Sequence, residues 1–213
     1  MKTGQLLLER LTVGPLQENC YLVGAAGSDA VLLVDPGDEA ATLAQALLTS
    51  GRRLEAILLT HAHFDHVGAL AELLETHEVP VYLHPADGPL LEYASLAAAQ
   101  WGIEIDQPPQ ATVELRHGQR LELAGLTFDC LHTPGHAPGH VAFYAPAERL
   151  VLAGDALFKG SIGRTDLPFG DHEQLLASIR HELLSLPPDT LVLPGHGDTT
   201  TIGVESRTNP FLV

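Results

Sequence analysis

The chain has 213 residues, of which 45% are hydrophobic, enough for a sizeable globular core. Its 11 Lys and Arg stand against 27 Asp and Glu, a formal net charge of −16 that argues against a nucleic-acid backbone or an anionic membrane as partner. A small anionic substrate stays compatible if a local basic patch receives it.

The two cysteines, Cys20 and Cys130, form no disulfide pattern and fit a reducing compartment. Cys130 falls in the alternating run Leu126-Thr127-Phe128-Asp129-Cys130-Leu131 and is expected in the core. The start Met1-Lys2-Thr3-Gly4-Gln5 shows no signal-peptide pattern, and no apolar run reaches membrane-spanning length. The expectation is a soluble, cytoplasmic protein.

In chain order, Leu6 to Val13, Cys20 to Gly24 and Ala30 to Val34 are short β-favouring runs divided by Gly14-Pro15 and Gly27-Ser28-Asp29. Asp35-Pro36-Gly37 closes the third with turn chemistry. Ala40 to Leu48 has helical spacing and stops at Gly51. Ala56 to Leu59 is a buried strand, and Val67 to Thr76 an amphipathic helix. Val81 to His84 predicts a strand, Pro85 to Ala99 a helical excursion, and 102–110 a connecting loop. Short strands return from Thr112 to Leu152, followed by a helix over Glu173 to Leu184 and a last strand at Leu191-Val192-Leu193. Two β-rich halves, each with helices on one face, are expected to pack sheet to sheet. No linker suggests independent units, so residues 1–213 are expected to form one domain.

Between that buried strand and the helix after it lies His61-Ala62-His63-Phe64-Asp65-His66, with four metal-capable side chains in six residues. The cluster sits at the C-terminal edge of a strand, where α/β folds place their sites. In extended backbone, residues two apart point the same way, so His61 and His63 can converge on one ion. Asp65 and His66 follow the turn and are free to face a second. Further strand ends deliver His136 after Thr133-Pro134-Gly135, Asp155 after Leu150 to Gly154, and His196 after Leu191 to Gly195. The assignment is then His61, His63 and His136 on one divalent metal, Asp65, His66 and His196 on another, and Asp155 bridging. Asp65 and Asp155 are the catalytic carboxylates of this reading, both as ligands. A paired site lowers the pKa of a bound water towards about 7 and so supplies hydroxide without a protein nucleophile. Imidazole and carboxylate donors without thiolate admit zinc, the first expectation, and also iron or manganese. His84, His132 and His140 read as supporting or structural residues.

These stretches, in this order and with these gaps, resemble the metallo-β-lactamase superfamily. The resemblance implies a four-layer αββα sandwich of two mixed β-sheets with a dinuclear site at one edge. Asn19-Cys20-Tyr21-Leu22-Val23, Gly154-Asp155-Ala156-Leu157-Phe158 and Gly160-Ser161-Ile162-Gly163-Arg164-Thr165-Asp166 are similar to the glyoxalase II branch. The ending Gly203-Val204-Glu205-Ser206-Arg207-Thr208-Asn209-Pro210-Phe211-Leu212 is similar to its short, single-domain members, which lack the C-terminal helical domain of full-length glyoxalase II. That likeness implies hydrolysis of a small anionic thioester such as S-lactoylglutathione. It also implies a basic residue at Arg164 that contacts glutathione. Lys159 and Arg164, on the loop after Asp155, are candidates for holding a substrate carboxylate. Arg164 has the alternative of pairing with Asp166 or Asp171 and ordering its loop. The missing helical domain leaves glutathione recognition open.

The main rival is a persulfide dioxygenase, which resembles the chain at Gly163-Arg164-Thr165-Asp166 and would hold one iron on His61, His136 and Asp155. A superfamily nuclease fits the acidic balance poorly. A β-lactamase is disfavoured because those enzymes commonly carry another residue, often Cys, where Asp155 stands, and because no export signal is visible.

Overall fold

The computed structural model describes residues 6–213. Strands β1 (Leu6–Val13), β2 (Glu18–Ala25) and β3 (Ala30–Val34) form an antiparallel meander. β4 (Arg53–Leu58), β5 (Val81–Leu83) and β6 (Val113–Glu114) then extend it in parallel, giving a sheet in the order β1-β2-β3-β4-β5-β6. Helices α1 (Ala40–Ser50), α2 (Phe64–Val67), α3 (Leu70–Thr76) and α4 (Gly88–Gln100) lie in its crossovers. The second sheet runs β14 (Thr200–Thr201), β13 (Leu191–Pro194), β10 (Leu150–Gly154), β9 (Val141–Ala145), β8 (Leu126–His132) and β7 (Arg120–Leu123). Within it only β10 and β13 pair in parallel. A two-stranded hairpin of β11 (Leu157–Phe158) and β12 (Ser161–Ile162) stands apart from both sheets, and α5 (His172–Ser178) and α6 (Ile202–Thr208) complete the second half.

The layers follow from a period-two division of the strand side chains. Tyr21, Val23, Leu32, Val34, Ala56 and Leu58 from the first sheet meet Phe128, Cys130, Phe143, Leu152 and Leu193 from the second in one buried cluster. The alternate positions Leu22, Leu33 and Ile57 face Leu43, Leu70, Leu91 and Ala94 of the helices. Ala142, Val151 and Val192 face Leu175, Ile179 and Ile202 on the opposite outer side. Three buried clusters separate four layers, helix, sheet, sheet, helix, and the expected αββα sandwich is what the chain builds. The central strands β3 and β10 are buried at every residue, which is why they read as unbroken apolar runs.

Two differences from the sequence expectation have local causes. The helix expected over Val67 to Thr76 is divided into α2 and α3, because the Ala69 N–H donates to the Pro36 carbonyl at 3.0 Å instead of to the preceding turn. The helix expected over Glu173 to Leu184 begins at His172, capped by the Asp171 side chain on Gln174 N–H, and passes into a π-helical turn over Ile179–Leu183. Helix α6 was not expected at all. Its Glu205 is buried and accepts from Thr200 Oγ1 at 2.6 Å, from Gly160 N at 2.9 Å and from Asn209 Nδ2 at 2.9 Å. Asn209 Nδ2 also donates to the Ser161 carbonyl at 2.9 Å. The two side chains therefore pin the β11–β12 hairpin to the end of the second sheet. Replacing Glu205 by Ala removes the acceptor of the buried Thr200 hydroxyl and of one Asn209 amide hydrogen, and frees the Gly160 N–H, at about 1–3 kcal/mol for each buried donor left unpaired. Thermal unfolding should show a melting temperature lower by roughly 6–12 °C, taking about 3 kcal/mol in a domain of this size; an unchanged melting temperature would contradict the pinning role.

Candidate metal centre

His61 and His63 lie on the loop that leaves β4, Asp65 and His66 on α2, His136 on the β8–β9 turn, Asp155 just past β10 and His196 just past β13. The fold brings all seven to one edge of the sandwich. His63 Nδ1 and His61 Nε2 lie 2.9 and 3.2 Å from His136 Nε2. Asp65 Oδ2 lies 3.3 Å from His196 Nε2 and 3.9 Å from His66 Nε2. Each trio keeps its donor atoms within 4.8 Å of one another. Asp155 reaches both: Oδ2 is 3.5 Å from His136 Nε2 and 3.6 Å from His196 Nε2, and Oδ1 is 3.4 Å from His66 Nε2.

What aims four of the five rings is a hydrogen bond behind each. His136 Nδ1–H donates to the Arg164 carbonyl at 2.7 Å, and His196 Nδ1–H to the Leu16 carbonyl at 3.1 Å. His66 Nδ1–H donates to Asp35 Oδ2 at 3.1 Å. Thr60 Oγ1 spends its proton on Asp35 Oδ2 at 2.6 Å and so accepts from His61 Nδ1–H at 3.0 Å. A neutral imidazole has one N–H and one lone pair, so in all four rings the Nε2 lone pair faces the cluster. Asp35 and His61 and His66 form a third compact group, but the Asp35 carboxylate is already committed to Thr60 N, Thr60 Oγ1 and His66, and serves as a support. It holds this place with a left-handed backbone, φ 52°.

Further residues carry the loops. His140, expected to be a supporting residue, accepts the Asp155 N–H at Nε2 and donates from Nδ1 to Thr133 Oγ1. The buried Asp87 accepts from Ala62 N and Gly139 N, tying the His61–His63 loop to the β8–β9 turn. Burial pushes its carboxyl up to about 6, against the two backbone N–H groups that lower it. Asn19 Nδ2 and Tyr21 Oη donate to the Pro194 carbonyl, joining β2 to the His196 loop. Gly195 has no room for a side chain, since a Cβ would stand 2.2 Å from Asp155 Oδ1. His84 and His132 stack on each other, centroids 4.3 Å apart, rather than joining the centre.

The donor set fits divalent metal. His66 Nε2 and Asp155 Oδ1 are buried without a hydrogen-bond partner. Burial lowers His61 well below the usual imidazole value and brings His63 down to about 3, with neighbouring imidazoles adding to both, so each offers a lone pair. Burial also opposes the charged forms of His66 and Asp155. The Asp155 and Asp65 carboxylates nevertheless raise His66 well above its usual value, and His66 with the other imidazoles holds Asp155 far below the carboxylate range. Carboxylates concentrated on one imidazole are a place where a cation is favoured.

The two proposed substrate cations differ in placement. Arg164 lines a cavity of about 840 Å³ that opens onto His63, Asp65, His136, Asp155 and His196, and its Nε and Nη2 bind Asp166 at 2.7 and 2.8 Å. Lys159 does not line that cavity; its ammonium pairs with Asp198 at 3.1 Å. Sequence reasoning missed Asp35, Thr60 and Asp87. Asp35 follows the apolar strand Ala30–Val34 as Asp155 follows Leu150–Gly154, a signal hidden by its reading as a turn former.

The family model of the metallo-β-lactamase superfamily matches residues 13–196. The chain belongs to that superfamily, whose fold and metal-binding edge it carries. It is 44% identical over 205 residues to the probable metallo-hydrolase YqgX of Bacillus subtilis (strain 168), covering 95% of this chain and 96% of the relative. It is 40% identical over 207 residues to the hydroxyacylglutathione hydrolase GloC of Haemophilus influenzae, covering 96% and 97%. Among solved structures, TTHA1623 in a di-iron-bound form is 55% identical with a TM-score of 0.90, covering 96% of this chain and 100% of that one. BLEG-1 B3 metallo-β-lactamase is 40% identical with a TM-score of 0.91, covering 97% and 100%. The protein is a metal-dependent hydrolase by family. No helix among the described residues is long and apolar enough to cross a membrane.

Asp35→Asn keeps a residue type that tolerates the left-handed backbone but replaces an acceptor oxygen by an amide nitrogen facing a donor. Metal affinity, measured by chelator competition, should fall about 10–100-fold; unchanged affinity would remove Asp35 from the support of His66.

Proposed function

We propose that the protein is a dinuclear-metal thioesterase, with S-lactoylglutathione as the reference substrate of its class. The observation that carries the reading is the Asp155 carboxylate, which reaches nitrogen donors of both histidine groups. His61, His63 and His136 would hold one ion, Asp65, His66 and His196 the other, and Asp155 would bridge them. When bound, such a pair supplies hydroxide near neutral pH and polarises the carbonyl under attack.

The chain's own groups do the rest. Cys20 and Cys130 are buried and their thiols are pushed up, that of Cys130 to about 12, so neither is a nucleophile and the attacking oxygen comes from water. Water adds to the acyl carbon, the C–S bond breaks, and carboxylate, thiol and a proton are released. The thiolate is a good leaving group and requires little help from a general acid. Asp65 acts as a ligand and not as a free base. Arg164 aims His136 through its backbone carbonyl, and its guanidinium, which lines the cavity and is shared with Asp166, is the group placed to hold a substrate carboxylate. Lys159, paired with Asp198, has no part in this reading.

A β-lactam presents a comparably electrophilic carbonyl, and the likeness to BLEG-1 is the observation that favours it as a second reading. Both activities belong in one assay, alongside metal analysis. Thioester cleavage should be lost with chelator and restored by added zinc, iron or manganese. One iron per chain with oxygen uptake and no cleavage would replace this reading by the dioxygenase. Asp155→Ala should lose metal occupancy and turnover together, and full activity in that variant would refute the bridge. Arg164→Gln should chiefly raise KM, as loss of uniform binding does; an unchanged KM would leave its guanidinium a loop-ordering role only.

A further inference from the structure

Much of the cavity lining is apolar and aromatic. Tyr93 of α4 and Trp101 just after it line the cavity with Phe158 of β11 and with Leu167, Pro168 and Phe169 of the loop after β12. Tyr93 is 43% exposed, Trp101 53% and Phe169 66%, an unusual amount of aromatic surface to leave in water beside a site. Phe169 is also held with φ 68°, a conformation a bulky residue adopts only under constraint. The polar side of the cavity contrasts with this. Arg164 is the one Lys or Arg lining it among the described residues, and its Nε and Nη2 engage Asp166. Asp65 and Asp155 line the same cavity. Beyond the proposed metals at the reacting carbonyl, a thiol half with two free carboxylates, as in glutathione, would find one shared guanidinium to pair with.

Resting on the thioesterase reading, we propose that the substrate is a thioester bearing an aromatic or medium-chain apolar group, seated against Tyr93, Trp101 and Phe169. Within the thioester class, substrates carrying such a group are then turned over better than S-lactoylglutathione. The volume suits such a group, since sites of about 300–1,000 Å³ enclose most of a small organic ligand. Each methylene brought out of water is expected to improve binding about fourfold.

Trp101 is the only tryptophan, so its fluorescence reports occupancy of this wall independently of turnover. The full-length, metal-loaded protein is titrated with two thioethers that cannot be hydrolysed, N-acetyl-S-octylcysteamine and S-methylglutathione. The octyl compound should give a saturable blue shift with a dissociation constant at least about tenfold lower, weakened several-fold by Tyr93→Ser or Phe169→Ser. Equal or tighter binding of S-methylglutathione, or no saturable response to the octyl compound, overturns the proposal. Two kinetic series then place the group. One lengthens the acyl chain from acetyl to octanoyl on N-acetylcysteamine; the other moves an acetyl group from N-acetylcysteamine to octanethiol. A rise of kcat/KM in the first puts the apolar group on the acyl half, a rise in the second on the thiol half, and flat series overturn the inference while leaving a thioesterase. Tight octyl binding with no thioester cleaved would instead sink the thioesterase reading and leave the apolar site standing.

Discussion

The site depends on where the imidazole protons are held. His61, His66, His136 and His196 each commit Nδ1–H to an acceptor behind the ring, a threonine hydroxyl, an aspartate and two backbone carbonyls. This leaves four Nε2 lone pairs converging with two carboxylates in a largely buried space. Without those acceptors the rings would be free to rotate or change tautomer, and a metal site would pay that ordering on every binding event. Because two acceptors are carbonyls of Leu16 and Arg164, distant loops must be placed correctly before the cluster exists.

The sandwich does that placing. Strands from both sheets end at the same edge, and cross-sheet contacts hold the ends in register. Asn19 and Tyr21 of β2 bind the Pro194 carbonyl, and Asp87 binds the two loops that carry His61, His63 and His136. The buried cluster between the sheets gives the rigidity, while Tyr93, Trp101 and Phe169 leave aromatic surface exposed at the cavity. The histidine and carboxylate donors share the cavity with this exposed apolar surface.

Much of this was legible in the chain. His61 to His66 is conspicuous because its donors are adjacent, and Ala30–Val34, Ala56–Leu59 and Leu150–Gly154 announce buried strands by unbroken apolarity. The supports were not legible, because each is a single Asp or Thr whose partner lies far along the chain: Asp35 meets Thr60 and His66, and Asp87 meets Gly139. Helix α6 has only seven residues and owes its stability to Glu205 and Asn209 reaching the β11–β12 hairpin, a tertiary cause that local periodicity does not encode. The same holds for Lys159 and Arg164, neighbours in sequence whose partners, Asp198 and Asp166, send them to different surroundings.

The most direct test of the central claim is anomalous diffraction from crystals of the metal-loaded protein. Two peaks are predicted, one ligated by His61, His63 and His136 and one by Asp65, His66 and His196, with Asp155 bound to both. A single peak on His61, His136 and Asp155 alone, or an ion coordinated by Asp35, would contradict it.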